Sequence, residues 1–133
     1  MPILVDSNVL LDVLTDDPQW AARSVAALAA QAERDALAIN PIIYAEVSIG
    51  FSTIEDLNAA LPPSVFHRLP LPWDAAFLAG KCFIDYRRRG GNRSSPLPDF
   101  YIGAHASLSG LPLLTRDARR YRTYFPKLTL IAP

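Results

Sequence analysis

Cysteine is nearly absent: a single residue, Cys82, occurs in 133 positions. One thiol excludes an internal disulfide and a thiolate zinc site, and a reducing cytoplasm is the simplest compartment for such a chain. Phe83 and Ile84 beside it place Cys82 in the expected core. Glycine is scarce too, with six residues and none spaced for a phosphate-cradling loop. The two histidines, His67 and His105, are not spaced as a metal pair, and no Ser/Cys–His–Asp pattern stands out. His105, within Gly103-Ala104-His105-Ala106, is expected on a helix surface or as a phosphate contact. No apolar run is long enough to span a bilayer. The start, Met1-Pro2-Ile3-Leu4-Val5-Asp6, lacks the basic segment of a signal peptide, so no membrane is expected.

Half of the residues are hydrophobic. That excludes disorder and supplies a core for one domain over residues 1–133. It also exceeds what a small monomer needs to bury, so a homodimer is expected. The net charge of zero hides an asymmetry. Residues 1–65 carry nine acids and two bases, a net of −7, and residues 66–133 carry four acids and eleven bases, a net of +7. A basic half beside an acidic site attracts a polyanion. The same charges equally suit solvated helix faces.

Residues 2–5 read as a short buried strand, followed by a helix with Asp6, Ser7 and Asn8 as capping candidates. Asp17-Pro18 opens a second helix, whose Trp20, Ala21, Val25, Leu28, Ala29 and Ala32 form an apolar stripe. Leu37-Ala38-Ile39 is a strand, Asn40-Pro41 starts a third helix, and residues 53–61 form a fourth. Val65 to Leu71 is a weak strand, residues 73–89 a long amphipathic helix, and 90–95 a surface loop. A helix runs from Asp99 to about Ser109, Leu113-Leu114 is a strand, Asp117 to Tyr124 a helix, and Leu128 to Ile131 a last strand. Short apolar strands alternating with helices predict an α/β domain with a covered parallel sheet. Sites in such folds form beyond the carboxyl ends of the strands.

Three aspartates stand at the ends of apolar runs: Asp6, Asp99 and Asp117. Each taken alone suits a helix cap. Glu46 differs. Its helical neighbours Ile42, Ile43, Ile49 and Gly50 are apolar or small, and no Lys or Arg lies between residues 35 and 67. It is either a buried neutral acid with a raised pKa or a site carboxylate, and three other acids on the same edge favour the latter. Four gathered carboxylates repel one another unless a cation compensates them. A cation held by carboxylate and water is Mg²⁺ or Mn²⁺. Gly103 and Ala106, on the face of Asp99, leave room for that helix to pack closely. Asp12 is expected to face away from the site, and the remaining acids sit in polar surroundings.

At these residues the chain resembles the PIN domain family, specifically toxins of the VapC type. The resemblance rests on Val5-Asp6-Ser7-Asn8-Val9-Leu10-Leu11-Asp12, on Glu46, on Leu97-Pro98-Asp99-Phe100-Tyr101-Ile102-Gly103, and on Leu113-Leu114-Thr115-Arg116-Asp117 with Tyr121 and Tyr124 behind it. It implies a three-layer α/β/α domain with a central parallel sheet. It implies an endoribonuclease dependent on Mg²⁺ or Mn²⁺, with tRNA or rRNA as substrate and a small VapB-type antitoxin as partner. Carried over by position, the catalytic and metal-holding acids are Asp6, Glu46, Asp99 and Asp117, with Asn8 and Thr115 as polar support. Arg87, Arg88, Arg89, Arg93 and Arg116 are the candidate RNA-binding bases. A phosphatase of the haloacid dehalogenase type normally wants a second acid two residues after the first, where this chain has Asn8. A receiver domain lacks its lysine, since the only lysines are Lys81 and Lys127. A PIN-like interaction module without activity is the non-enzymatic alternative, and it would bind Mn²⁺ poorly.

Overall fold

The computed structural model describes residues 1–133 and holds five strands and seven helices. They are β1 (Ile3–Val5), α1 (Ser7–Leu14), α2 (Ala21–Ala32), β2 (Leu37–Ile39), α3 (Pro41–Ser48), α4 (Ile54–Ala60), β3 (Phe66–Arg68), α5 (Trp73–Arg88), α6 (Pro98–Ser109), β4 (Leu113–Leu114), α7 (Ala118–Tyr124) and β5 (Leu130–Ile131). The strands form one parallel sheet in the order β3-β2-β1-β4-β5, with helices on both faces. This is the three-layer α/β/α arrangement that the alternation of elements predicts. The three central strands are entirely buried, which is why they read as unbroken apolar runs rather than alternating ones. No helix is long and apolar enough to cross a membrane.

The strand order reverses direction at β1, whose neighbours are β2 on one side and β4 on the other. Such a switch point opens a crevice at the carboxyl ends of the two diverging strands. Asp6 leaves β1 there, its N–H donating to Leu114 O at 2.9 Å, and Thr115 leaves β4 beside it.

Several local features depart from the sequence reading. The helix expected from Pro18 begins at Ala21. Asp17 Oδ1 accepts from the N–H groups of Gln19 and Trp20, both at 2.9 Å, and holds the chain in a turn before the helix. The apolar stripe assigned to α2 is only partly its inner face: Trp20, Ala21 and Leu28 are half-buried and Ser24 is buried, while Val25 is 49% exposed and Ala29 and Ala32 lie outward. The strands β3 and β5 are shorter than their apolar runs, since both lie at sheet edges. His105 is a core residue rather than a surface one, its Nδ1 lying 3.0 Å from Asn40 Nδ2. Asn40 spends its Oδ1 capping α3 through Ile43 N–H at 3.0 Å, so its buried amide donor needs an acceptor, and the ring nitrogen supplies it. Burial lowers the His105 pKa, which favours the neutral ring, and the Asn40 amide donor selects the tautomer with the proton on Nε2.

Candidate active site

Asp6 is the centre of the crevice. Its backbone is extended (φ −67°, ψ 150°), the conformation of a helix N-cap. Oδ1 accepts from Ser7 N–H at 2.8 Å and from the Ser7 hydroxyl at 3.4 Å. Oδ2 accepts from the Thr115 hydroxyl at 2.8 Å and from the Tyr121 hydroxyl at 2.9 Å. One oxygen of the carboxyl group thus meets the start of α1 and the other meets the end of β4 and α7. Burial raises the Asp6 pKa to about 6, and the charges of Asp99 and Glu46 push the same way against the hydrogen bonds from Thr115 and Tyr121.

Glu46 reaches the crevice from α3. Its Oε1 accepts from Ser7 Oγ at 2.8 Å, which ties it to the residue beside Asp6. Its neighbours do not form a sealed apolar face, for Ile49 is 86% exposed and Gly50 is exposed as well. Partial burial raises its pKa, and Asp99 adds repulsion. Asp99 stands in the first turn of α6, inside the helix rather than capping it, since Leu97 occupies the cap position. Burial raises its pKa and Asp117 adds to the rise, while Arg120 opposes both. Asp117 holds the N-cap position of α7 but makes no side-chain cap bond.

Asp6, Glu46 and Asp99 therefore share one electrostatic neighbourhood, and Asp99 shares another with Asp117. The four do not close on a common point: no three acidic, histidine or cysteine side chains converge at metal-holding distance in this conformation. Asp6, Glu46 and Asp99 are each drawn to a different partner. Asp6 turns to Thr115 and Tyr121, Glu46 to Ser7, and Asp99 to Arg120 at 3.0 Å.

The supporting residues tie the two strand ends together. Asn8 Nδ2 donates to Thr115 Oγ1 at 3.4 Å, and Asn8 Oδ1 accepts from Arg116 N–H at 3.2 Å. Thr115 Oγ1 also accepts from Asp117 N–H at 3.0 Å. Asp12, expected to face away, is instead buried under this turn. It accepts from Ser24 Oγ at 2.8 Å and pairs with Arg116 through two nitrogens, at 2.8 and 2.9 Å. The Arg116 guanidinium also lies over the Trp20 ring, 4.9 Å from its centroid. Among the candidate RNA-binding bases, Arg116 is thus the one paired with a buried acid, and it anchors the turn that carries Asp117. Arg87, Arg88, Arg89 and Arg93 remain at an exposed edge, where Arg89 pairs with Asp85 and lies 5.5 Å from the Tyr124 ring centre.

Three residues at the site escaped the sequence reading: Ser7 as the link to Glu46, Tyr121 as a ligand of Asp6, and Arg120. The last two had a signal, since Arg120 and Tyr121 stand three and four residues after Asp117 and so share its helix face.

The PIN domain model matches residues 3–126. Among solved structures, the chain is similar to VapBC2 from Rickettsia felis bound to a promoter DNA fragment, at 19% identity and a TM-score of 0.72, covering 100% of this chain and 99% of that one. VapBC-1 from nontypeable Haemophilus influenzae is similar at 18% identity and a TM-score of 0.73, with 99% and 98% covered. FitAcB from Neisseria gonorrhoeae follows at 22% identity and a TM-score of 0.68, with 98% and 96% covered. These likenesses concern the fold. No curated protein matches the sequence. With the sheet's switch point, the acids around it and a family match over nearly the whole chain in agreement, the chain belongs to the PIN domain family.

Proposed function

We propose that this chain is an endoribonuclease toxin that works with Mg²⁺ or Mn²⁺ in the cytoplasm, is restrained by a VapB-type antitoxin, and self-associates as a homodimer. The observation that carries the reading is the buried Asp6. It sits at the switch point of the sheet, raised to about 6 by burial and by Asp99 and Glu46, with no cation paired to it. A donor set made of carboxylates suits a hard divalent cation, and such a cation compensates the repulsion that these residues carry. The structural neighbours that are complexes of VapBC type support the toxin role and the antitoxin.

Asp6, Asp99 and Asp117 are the residues that would hold the cation. Bound there, it supplies Lewis-acid activation of water and charge neutralisation at a phosphate. Thr115 and Tyr121 fix the rotamer of Asp6 through Oδ2, and the long 3.4 Å contact from the Ser7 hydroxyl to Oδ1 is the one a cation would replace most readily. Glu46, oriented by Ser7, accepts a proton from the attacking water, and its raised pKa brings it closer to neutrality as a base. Arg87, Arg88, Arg89 and Arg93 hold flanking phosphates of RNA, with tRNA or rRNA as the target class.

Sequencing the 5′ ends of RNA fragments tests this directly, after expression of the wild type, Asp6→Asn and Asp99→Asn. The wild type is expected to produce defined new ends and arrest growth, and both variants to produce none while remaining folded. New ends at full yield from either variant would remove the proposal.

A further inference from the structure

We propose that Arg120 is an internal counter-ion of the acidic site, exchanged for the divalent cation when that cation binds. The inference rests on the metal-dependent reading above and names how the site is kept quiet without metal. Arg120 Nη1 lies 3.0 Å from Asp99 Oδ2, and its Nε lies 3.9 Å from Asp117 Oδ2. These are two of the three carboxylates assigned to the cation, brought together from α6 and from the turn after β4. No other basic group forms an ion pair with any of the four site acids. A planar guanidinium and a compact dication compete for the same oxygens. While Arg120 holds Asp99, one of that carboxylate's oxygens is occupied, and no three ligands converge in this conformation.

The pair is built to be broken. The Arg120 side chain is 48% exposed, so its attraction to Asp99 is screened and a dication displaces it at small cost. The released side chain also has somewhere to go. It borders a hollow of about 360 Å³ next to Asp117, walled by Tyr86, Leu97 and Tyr124 and shared with Arg119. There, beside Arg119, the guanidinium would be available to a phosphodiester of the RNA. Helix geometry sets up the arrangement, since Arg120 stands one turn after Asp117 on α7.

Calorimetric titration of Mn²⁺ into the full chain, without RNA, tests the exchange. Wild type is compared with Arg120→Gln, with Arg120→Lys, and with Arg122→Gln, which removes the same charge from the same helix but pairs with no acid. Arg120→Gln is expected to bind Mn²⁺ roughly two- to tenfold more tightly than Arg122→Gln, with Arg120→Lys between it and wild type. At saturating Mg²⁺, the KM of Arg120→Gln for a single-stranded RNA is expected to rise with kcat little changed. Mn²⁺ affinity equal to that of Arg122→Gln, or weaker, would overturn the exchange while leaving the nuclease reading intact. Tighter Mn²⁺ binding with an unchanged KM would overturn the second position in the hollow. No Mn²⁺ binding by any of the four proteins would overturn the exchange and the metal reading together.

Discussion

Asp6 shows how much one side chain can be made to carry. Its pKa of about 6 stands above the ordinary 3.8, chiefly through burial and then through repulsion from its neighbours. A raised carboxyl pKa means that the folded state takes up the proton more readily than the unfolded state does. The stability that goes with it is fully present below about pH 4 and is lost as pH rises through about 6, a loss of about 3 kcal/mol by neutral pH. Without a bound cation, the ionised Asp6 therefore works against the fold at pH 7. In EDTA, Asp6→Asn should gain melting temperature over wild type as pH rises from about 4 to about 7, and saturating Mg²⁺ should narrow the gap by stabilising the wild type. Differential scanning calorimetry across that range gives the answer. Parallel curves for the two proteins would show that Asp6 is not destabilised by its surroundings.

At the scale of elements, α6 and α5 place the site and its rim. Gly103 faces the buried Phe125, and a Cβ built there would meet the ring at 2.3 Å. The absence of a side chain lets the ring pack directly on α6, the helix that delivers Asp99. Gly103→Ala is expected to cost about 1–3 kcal/mol, since the ring is enclosed and has no easy way to yield. Chemical denaturation measures this, and unchanged stability would mean that the contact is soft. The arginines that end α5 have two readings. Arg87 and Arg88 lie in its last turn, where cations favour the helix dipole whatever else they do. Reversing charge at Arg87, Arg88 and Arg89 together should weaken RNA binding and flatten its salt dependence, while Mn²⁺ binding persists. An unchanged salt slope would leave these residues as a solvated helix end.

The whole molecule presents an apolar face that its own core does not use. Trp73 is 91% exposed and Phe77 68% exposed, and both point outward from α5 on the side of Ile84. Four and seven residues separate them in turn, which keeps all three on one helical stripe. Exposed large side chains in a row mark an association surface. The proposed homodimer is expected to use this stripe, so the wild type is expected to sediment as a dimer and Trp73→Asp with Phe77→Glu as a monomer with an intact fold. Sedimentation velocity decides it. A variant that keeps the wild-type mass would place the interface elsewhere.

Much of this architecture was legible in the chain alone. Ile3–Val5, Leu37–Ile39 and Leu113–Leu114 are readable as central strands because strands covered on both faces have no polar alternation to hide them. Asp6, Asp99 and Asp117 are readable because acids that end apolar runs fall at element boundaries, and Asn40-Pro41 because capping is a local property. What only the tertiary structure decided concerns partners distant in sequence. The helix α2 turns Ser24 inward and Val25 outward because Asp12, on another helix, needs a donor. His105 is buried because Asn40, 65 residues away, needs an acceptor. Arg116 is anchored by an acid 104 residues earlier, and Asp99 is held by an arginine 21 residues later. Periodicity and capping act over a few residues and are written in their order. Hydrogen-bond and charge partners are chosen by proximity in space, which the packing of the helices on the sheet decides.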